Sequence, residues 1–170
     1  MNLGDVRAVI ESAKVRDRGE LAEFVRETWP GSTDKEVEEA SAVAVEVVET
    51  VPLLLARAAQ AAKERGLSVV VMPLLEHAAR YFVNPVDLIP EMTKGMAGLL
   101  DDTYLALRIM ENLNRGPDPL FDADFKEPLR FLKHLVGPEI SRKLDAASIF
   151  ALQDVSTQVS RAWAEMEQPS

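Results

Sequence analysis

The chain has 170 residues, of which 47% are hydrophobic and 28% are charged, and its net charge is −9. This acidic balance excludes the electrostatic attraction that dominates nonspecific nucleic-acid binding, so no nucleic-acid partner is expected. The absence of cysteine excludes disulfides and thiolate chemistry. Neither a secretory leader nor a membrane-spanning segment is recognisable, and we therefore expect a soluble, cytoplasmic protein.

The first part of the chain has the apolar spacing of amphipathic helices, with hydrophobic residues recurring every three or four positions. Val6, Val9, Ile10 and Ala13 predict a first helix. A second helix is predicted from Leu21, Phe24 and Val25, which would lie on one side of it. The sequence Trp29-Pro30-Gly31 combines two residues that disfavour helix, so the second helix is expected to end there.

A long third helix is predicted to follow. Thr33 and Glu36 have the spacing of a capping box, in which each side chain accepts from the other residue's backbone N–H. An apolar seam then continues to Gly66. Pro52 lies inside this seam and has no N–H to donate, so we expect a kink, or a break into two helices, near Thr50.

The second half of the chain contains further helical patterns. The segment Leu74 to Phe82 is apolar on most of its circumference and is the best candidate for the central buried helix. Another helix is predicted from Ala97 to Leu113. A short helix capped by Asp124 should follow, and Gly137-Pro138 should end it. Apolar residues spaced along Ile140 to Met166 predict a final, long amphipathic helix.

Because no segment alternates as a strand would, the sequence predicts an all-α fold. We expect one domain over residues 1–170, built as a helical bundle of about six to eight helices with a proline-kinked long helix. Its parts would be N-terminal helices within 3–66, a central region at 74–113 and C-terminal helices within 124–167. A chain of this length can bury a sizeable core without disulfides.

Residues 84–102, NPVDLIPEMTKGMAGLLDD, contain more prolines, glycines and carboxylates than helix packing requires. Their pattern resembles the YkvA-like family, a bacterial domain of unknown function with a Pro-x-Asp-Leu-Ile-Pro-Asp element followed by Gly-x-Leu-Asp-Asp. The resemblance covers about residues 74–113 and implies a helical fold and a site, but no activity. Glu91 stands where the family usually has Asp. The candidate site residues are Pro85, Asp87, Pro90, Glu91, Gly98, Asp101 and Asp102.

Two interpretations of this motif remain open. In the first, it is a rigid corner between two helices, in which Asp87 accepts from unpaired N–H groups of a helical turn that begins at Pro85. In the second, Asp87, Glu91, Asp101 and Asp102 converge as oxygen ligands for Mg²⁺ or Ca²⁺. No other cofactor is expected.

Three residues before the motif are secondary site candidates: Glu76, His77 and Arg80. We expect His77 to be a partly buried structural histidine rather than a general base, since it lies on an apolar helix. Glu76 and Arg80 are four residues apart, and we expect them to neutralise each other within the core.

These observations favour a noncatalytic helical module for protein–protein interaction or scaffolding, with a protein partner or self-association. One alternative is a divalent-metal-binding protein, or a metal-dependent enzyme, that uses the four carboxylates. A second alternative is a membrane-peripheral accessory protein, although the negative charge disfavours anionic membranes. The sequence indicates no small-molecule substrate.

Overall fold

The computed structural model describes residues 1–83, 95–115 and 119–167. Within those ranges the chain is entirely helical, so the predicted all-α fold is confirmed. Six α-helices and one 3₁₀ turn pack around a shared hydrophobic core. The helices are α1 (Leu3–Arg16), α2 (Glu20–Thr28), α3 (Asp34–Glu64), α4 (Ser68–Val83), α5 (Leu100–Leu113) and α6 (Lys126–Glu167), and the 3₁₀ turn is Gly95–Leu99.

Helix α3 begins with the predicted capping box. The Thr33 hydroxyl accepts from the Glu36 N–H at 3.1 Å, and the Glu36 carboxylate accepts from the Thr33 N–H at 3.4 Å. The helix runs through Pro52 as one element, so the break expected near Thr50 does not occur. Pro52 is buried, and α3 packs against α1, α2, α4 and α5. These contacts hold the helix together across the missing hydrogen bond.

The central helix is α5 rather than α4, so the prediction for the segment from Leu74 was wrong. Every residue from Leu100 to Leu107 is buried, and α5 contacts α3, α4 and α6. Helix α4 buries only one side, since Val69 and Val83 are exposed although both are apolar. Helix α4 contacts four other helices, α1, α3, α5 and α6, and still keeps an exposed side, so the hydrophobicity of a helix is a poor guide to its burial.

Helix α6 is bent at Gly137, where φ is 84° and ψ is 167°, as the Gly137-Pro138 pair predicted. A side chain other than glycine would be strained there, and its β-carbon would also lie 3.4 Å from a methyl carbon of Thr28. Before the bend, Leu132 and Leu135 enter the core; after it, Leu144 does so. Among the described residues, no helix is long and apolar enough to cross a membrane.

Candidate functional site

The structure describes only part of the motif. Pro85, Asp87, Pro90 and Glu91 lie outside the described residues. Gly98 is half-buried in the 3₁₀ turn that precedes α5, and Asp101 and Asp102 lie in the first turn of α5. The hypothesis that four carboxylates converge on one metal ion is therefore not tested, and only its second pair can be described.

Asp101 and Asp102 are buried, with exposed fractions of 4% and 1%. Burial of a carboxylate costs free energy unless nearby groups replace the lost water. The first turn of α5 supplies part of that replacement, because its backbone N–H groups carry the positive end of the helix dipole. The Asp102 N–H donates to the Asp101 carboxylate at 2.8 Å. Carboxylates at a helix start interact favourably with the helix dipole whether or not they have a further role.

The turn before α5 depends on a glycine. Gly95 has φ of 57°, in the left-handed region, and begins the 3₁₀ segment. A β-carbon at this position would lie 3.6 Å from the backbone of Asp17, so the turn also passes close to the α1–α2 connection. Because glycine adopts this backbone angle without strain, Gly95 allows the chain to enter α5 at this point.

A polar cluster from α4 and α6 lies beside these carboxylates. Nε2 of His77 is 3.3 Å from the Tyr81 hydroxyl, and the two rings meet edge to face with centroids 5.2 Å apart. The same nitrogen is 4.0 Å from a carboxylate oxygen of Asp154 on α6. His77 therefore links two turns of α4 with the second half of α6.

The pKa values of both rings depart from their usual range. Burial lowers the pKa of His77, with Arg80 acting in the same direction and Asp154 opposing them. Burial also raises the pKa of the Tyr81 phenol, as do the negative charges of Asp154 and Asp102. Both groups are therefore held in their neutral forms at neutral pH. A neutral imidazole beside a neutral phenol forms a hydrogen bond between successive turns of α4 without placing a charge in the core.

The other two secondary candidates lie at the surface. Glu76 and Arg80 are both exposed, so the expectation that they enter the core as a pair was wrong. The Glu76 carboxylate lies 3.6 Å from the amino group of Met1. Helix α4 is amphipathic, and its outer side carries these charges at no desolvation cost. Within the described ranges, no group of three or more histidine or carboxylate side chains could hold a metal ion.

Sequence reasoning missed a second feature, an exposed apolar pair on α6. Ile149 and Phe150 are 53% and 74% exposed, although the preceding residue, Ser148, is fully buried. The signal was present in the sequence: from Ala146 to Ser160, Asp154 is the single charged residue, while 28% of the whole chain is charged. The prediction followed the buried stripe of α6 and did not consider its opposite side.

Comparison with known proteins gives no match to a family model, a curated protein or a solved structure. The resemblance to the YkvA-like family therefore rests on the motif residues alone and remains a hypothesis. Function has to be inferred from the described side chains. Two features have the clearest physical meaning. One is the polar corner formed by His77, Tyr81, Asp102 and Asp154 where α4, α5 and α6 meet, and the other is the exposed apolar pair on α6.

Proposed function

We propose that this chain is a noncatalytic helical interaction module that self-associates through the second half of α6. The observation that carries the proposal is the exposure of two adjacent large apolar side chains, Ile149 and Phe150. Large exposed apolar side chains next to each other are typical of surfaces that bind another protein.

The neighbours of the apolar pair favour an interface over an ordinary solvent-facing helix. Ala146, Gln153 and Thr157 are exposed on the same stretch of α6 and carry no charge, and Asp154 is the one charged residue of this stretch. The cores of protein interfaces are poor in charged residues, because burial of a charge without a partner is costly. This stretch would therefore lose little hydration energy when it is covered.

A second copy of the chain is the occupant that the charge distribution favours. Two copies with net charges of −9 repel each other, and the repulsion is weakest where their charges are fewest. The sequence from Ala146 to Ser160 has one charged residue, Asp154, and contains the exposed pair Ile149 and Phe150. In a twofold dimer the same patch occurs on both subunits, so the apolar pair of one copy would face the apolar pair of the other.

Sedimentation velocity of the full chain tests this proposal. The mass of one chain is 18.8 kDa, so a dimer has twice that value, about 38 kDa. We expect the wild type to sediment as a dimer and Phe150→Asp to sediment as a monomer with an unchanged helical circular dichroism spectrum. A wild type that stays monomeric at every concentration would contradict the proposal.

Val15→Asp is the matched control, because Val15 on α1 is 78% exposed and apolar like Phe150. This variant should remain dimeric. If Val15→Asp and Phe150→Asp dissociate the protein equally, the contact does not run through α6. Flotation with neutral and anionic vesicles provides a further arm. Binding of the monomeric wild type to vesicles, with loss of that binding in Phe150→Asp, would replace self-association by a membrane-peripheral role.

A further inference from the structure

A cleft of about 790 Å³ lies between the end of α5 and the start of α6. It adjoins a smaller cavity of about 290 Å³, and both are lined by Arg108, Glu111 and Lys126. Together they have the size of a site for a small organic molecule. The cleft is separate from the polar corner and from the exposed apolar pair on α6, and the interaction proposed above does not use it.

The loop that forms one wall of the cleft is held in place by side chains. Asn114 donates to the carbonyl of Phe121 at 2.8 Å and accepts from its N–H at 3.3 Å. From α3, Arg57 donates to the loop backbone, and its guanidinium lies 5.4 Å from the ring centre of Phe121. Arg65 donates to the carbonyl of Pro119 at 3.1 Å. The wall is therefore formed before any ligand arrives, which lowers the entropic cost of binding.

Positive charge is concentrated in the smaller cavity. Four cationic side chains line it, and Glu111 is the one carboxylate among its lining residues. The cations are Arg108, Lys126, Arg130 and Lys133. Three of them follow one another at spacings of four and three along α6, so they lie on one side of that helix. The lining side chains carry three more positive than negative charges, whereas the chain has a net charge of −9. Two carboxylates outside the lining offset part of this excess: Glu127 lies 3.0 Å from Arg130, and Asp145 lies 3.5 Å from Lys133.

The carboxylates near the cavity neutralise this charge only in part. Glu111 accepts from Arg108 and also lies 3.7 Å from Arg115, so two guanidinium groups share one carboxylate. Nε of Arg108 is buried, and within the described ranges it has no hydrogen-bond acceptor. A buried cationic group with an unused donor is stabilised by any anion that comes close to it.

We propose that this cleft binds a small organic phosphate with an aromatic or other flat apolar body. The phosphate dianion would occupy the smaller cavity, where guanidinium and ammonium groups can each donate to one of its oxygens. The apolar body would lie in the larger cleft against Phe121 and Phe125, whose rings meet edge to face with centroids 5.9 Å apart. The larger cleft thus offers aromatic rings to the apolar body, beside the carboxylates of Asp122 and Asp124, and the smaller cavity offers cations to the phosphate.

Isothermal titration calorimetry of the full chain with phenyl phosphate tests the assignment, with orthophosphate, benzoate and phenol as comparison ligands. We expect phenyl phosphate to bind saturably and most tightly, since it alone satisfies both cavities. Absence of phenyl phosphate binding at millimolar concentration overturns the proposal. Equal binding of benzoate overturns the preference for phosphate, and equal binding of orthophosphate overturns the role of the aromatic rings.

The double variant Lys126→Ala/Arg130→Ala should weaken phenyl phosphate binding about tenfold or more, because two charge-assisted contacts are lost. Both side chains are exposed on α6, so the fold should persist, and circular dichroism verifies this. Lys35→Ala is the matched control: it removes an exposed cation from α3, away from the cleft. Equal losses of affinity in the control and the double variant would show nonspecific attraction and overturn the site.

Discussion

Tyr104 on α5 donates its phenolic hydrogen to the carboxylate of Asp145 on α6. The tyrosine is fully buried, whereas the aspartate is partly exposed and also lies 3.5 Å from the Lys133 ammonium. A hydrogen bond from a buried phenol to a charged acceptor is stronger than one between neutral groups. This contact therefore fixes the central helix to the helix that completes the core.

Tyr104→Phe should lower the free energy of unfolding by roughly 1.5–3 kcal/mol, the value of a hydrogen bond to a charged group. The ring still fills its space, so the loss isolates the hydroxyl. Urea unfolding should show a lower midpoint with an unchanged slope. Asp145→Asn provides a double-mutant cycle, in which the two losses should not add. Additive losses would show that the two residues are not coupled.

The chain has two tyrosines, and the structure raises the pKa of both. For Tyr104 the main cause is burial, followed by the hydrogen bond to Asp145. The folded state therefore favours the neutral phenols. Their contribution to stability is fully present below the unfolded pKa of about 10 and is lost as pH rises through the folded values. In an absorbance titration, tyrosinate should appear only above that pH, together with alkaline unfolding. Complete ionisation of one tyrosine near pH 10, while the protein is still folded, would contradict this prediction.

His77 should make stability depend on pH in the acidic range. Its pKa is lowered in the folded state, mainly by burial, so the unfolded chain binds the proton more readily. Its contribution is present above the unfolded pKa of about 6.5 and is lost as pH falls through the lowered folded value. His77→Gln should flatten the curve of unfolding free energy against pH below that point. A pH dependence of stability in His77→Gln equal to that of the wild type would contradict this prediction.

Asp87 lies outside the described residues, and its role stays a prediction from sequence. If the motif is a structural corner, Asp87→Ala should cost about 0.5–2 kcal/mol and Asp87→Asn less, because an amide oxygen still accepts hydrogen bonds. Thermal midpoints measured with and without Mg²⁺, Ca²⁺ or Mn²⁺ separate this from a metal site. A metal-dependent rise in the wild type that disappears in both variants would favour the metal site, since ligand binding to the native state raises stability.

Local signals in the sequence predicted the helices and several of their ends. The Thr33 and Glu36 capping box and the bend at Gly137 depend on a few neighbouring residues, and the structure contains both. The continuity of α3 through Pro52 depends instead on contacts with other helices. The roughly 3 kcal/mol cost of an interior proline is offset by packing that no local pattern reveals.

Burial of α5 and formation of the cleft also depend on contacts between helices, so local sequence patterns did not predict them. The sequence pattern marked Asp101 and Asp102 as candidate site residues and did not predict that they, with Thr103, are buried where α5 begins. The cationic side chains of the cleft lie on α5 and α6. Arg57, which donates to the loop that forms one wall of the cleft, lies far away in the sequence on α3. Their proximity is a property of the tertiary fold, and the pattern of a single sequence carries no sign of it.

Leu132, Leu135 and Leu144 of α6 belong to the core, and α6 is synthesised after α1 to α5. A nascent chain that has released only those five helices leaves the part of the core that these leucines cover, an apolar trough beside α5, open to solvent. At roughly 5–20 residues per second, residues 126 to 144 take about 1–4 s to make. During that interval the trough is available to chaperones or to neighbouring nascent chains. Slower translation just before α6 should therefore lower the yield of folded protein without any change in its sequence.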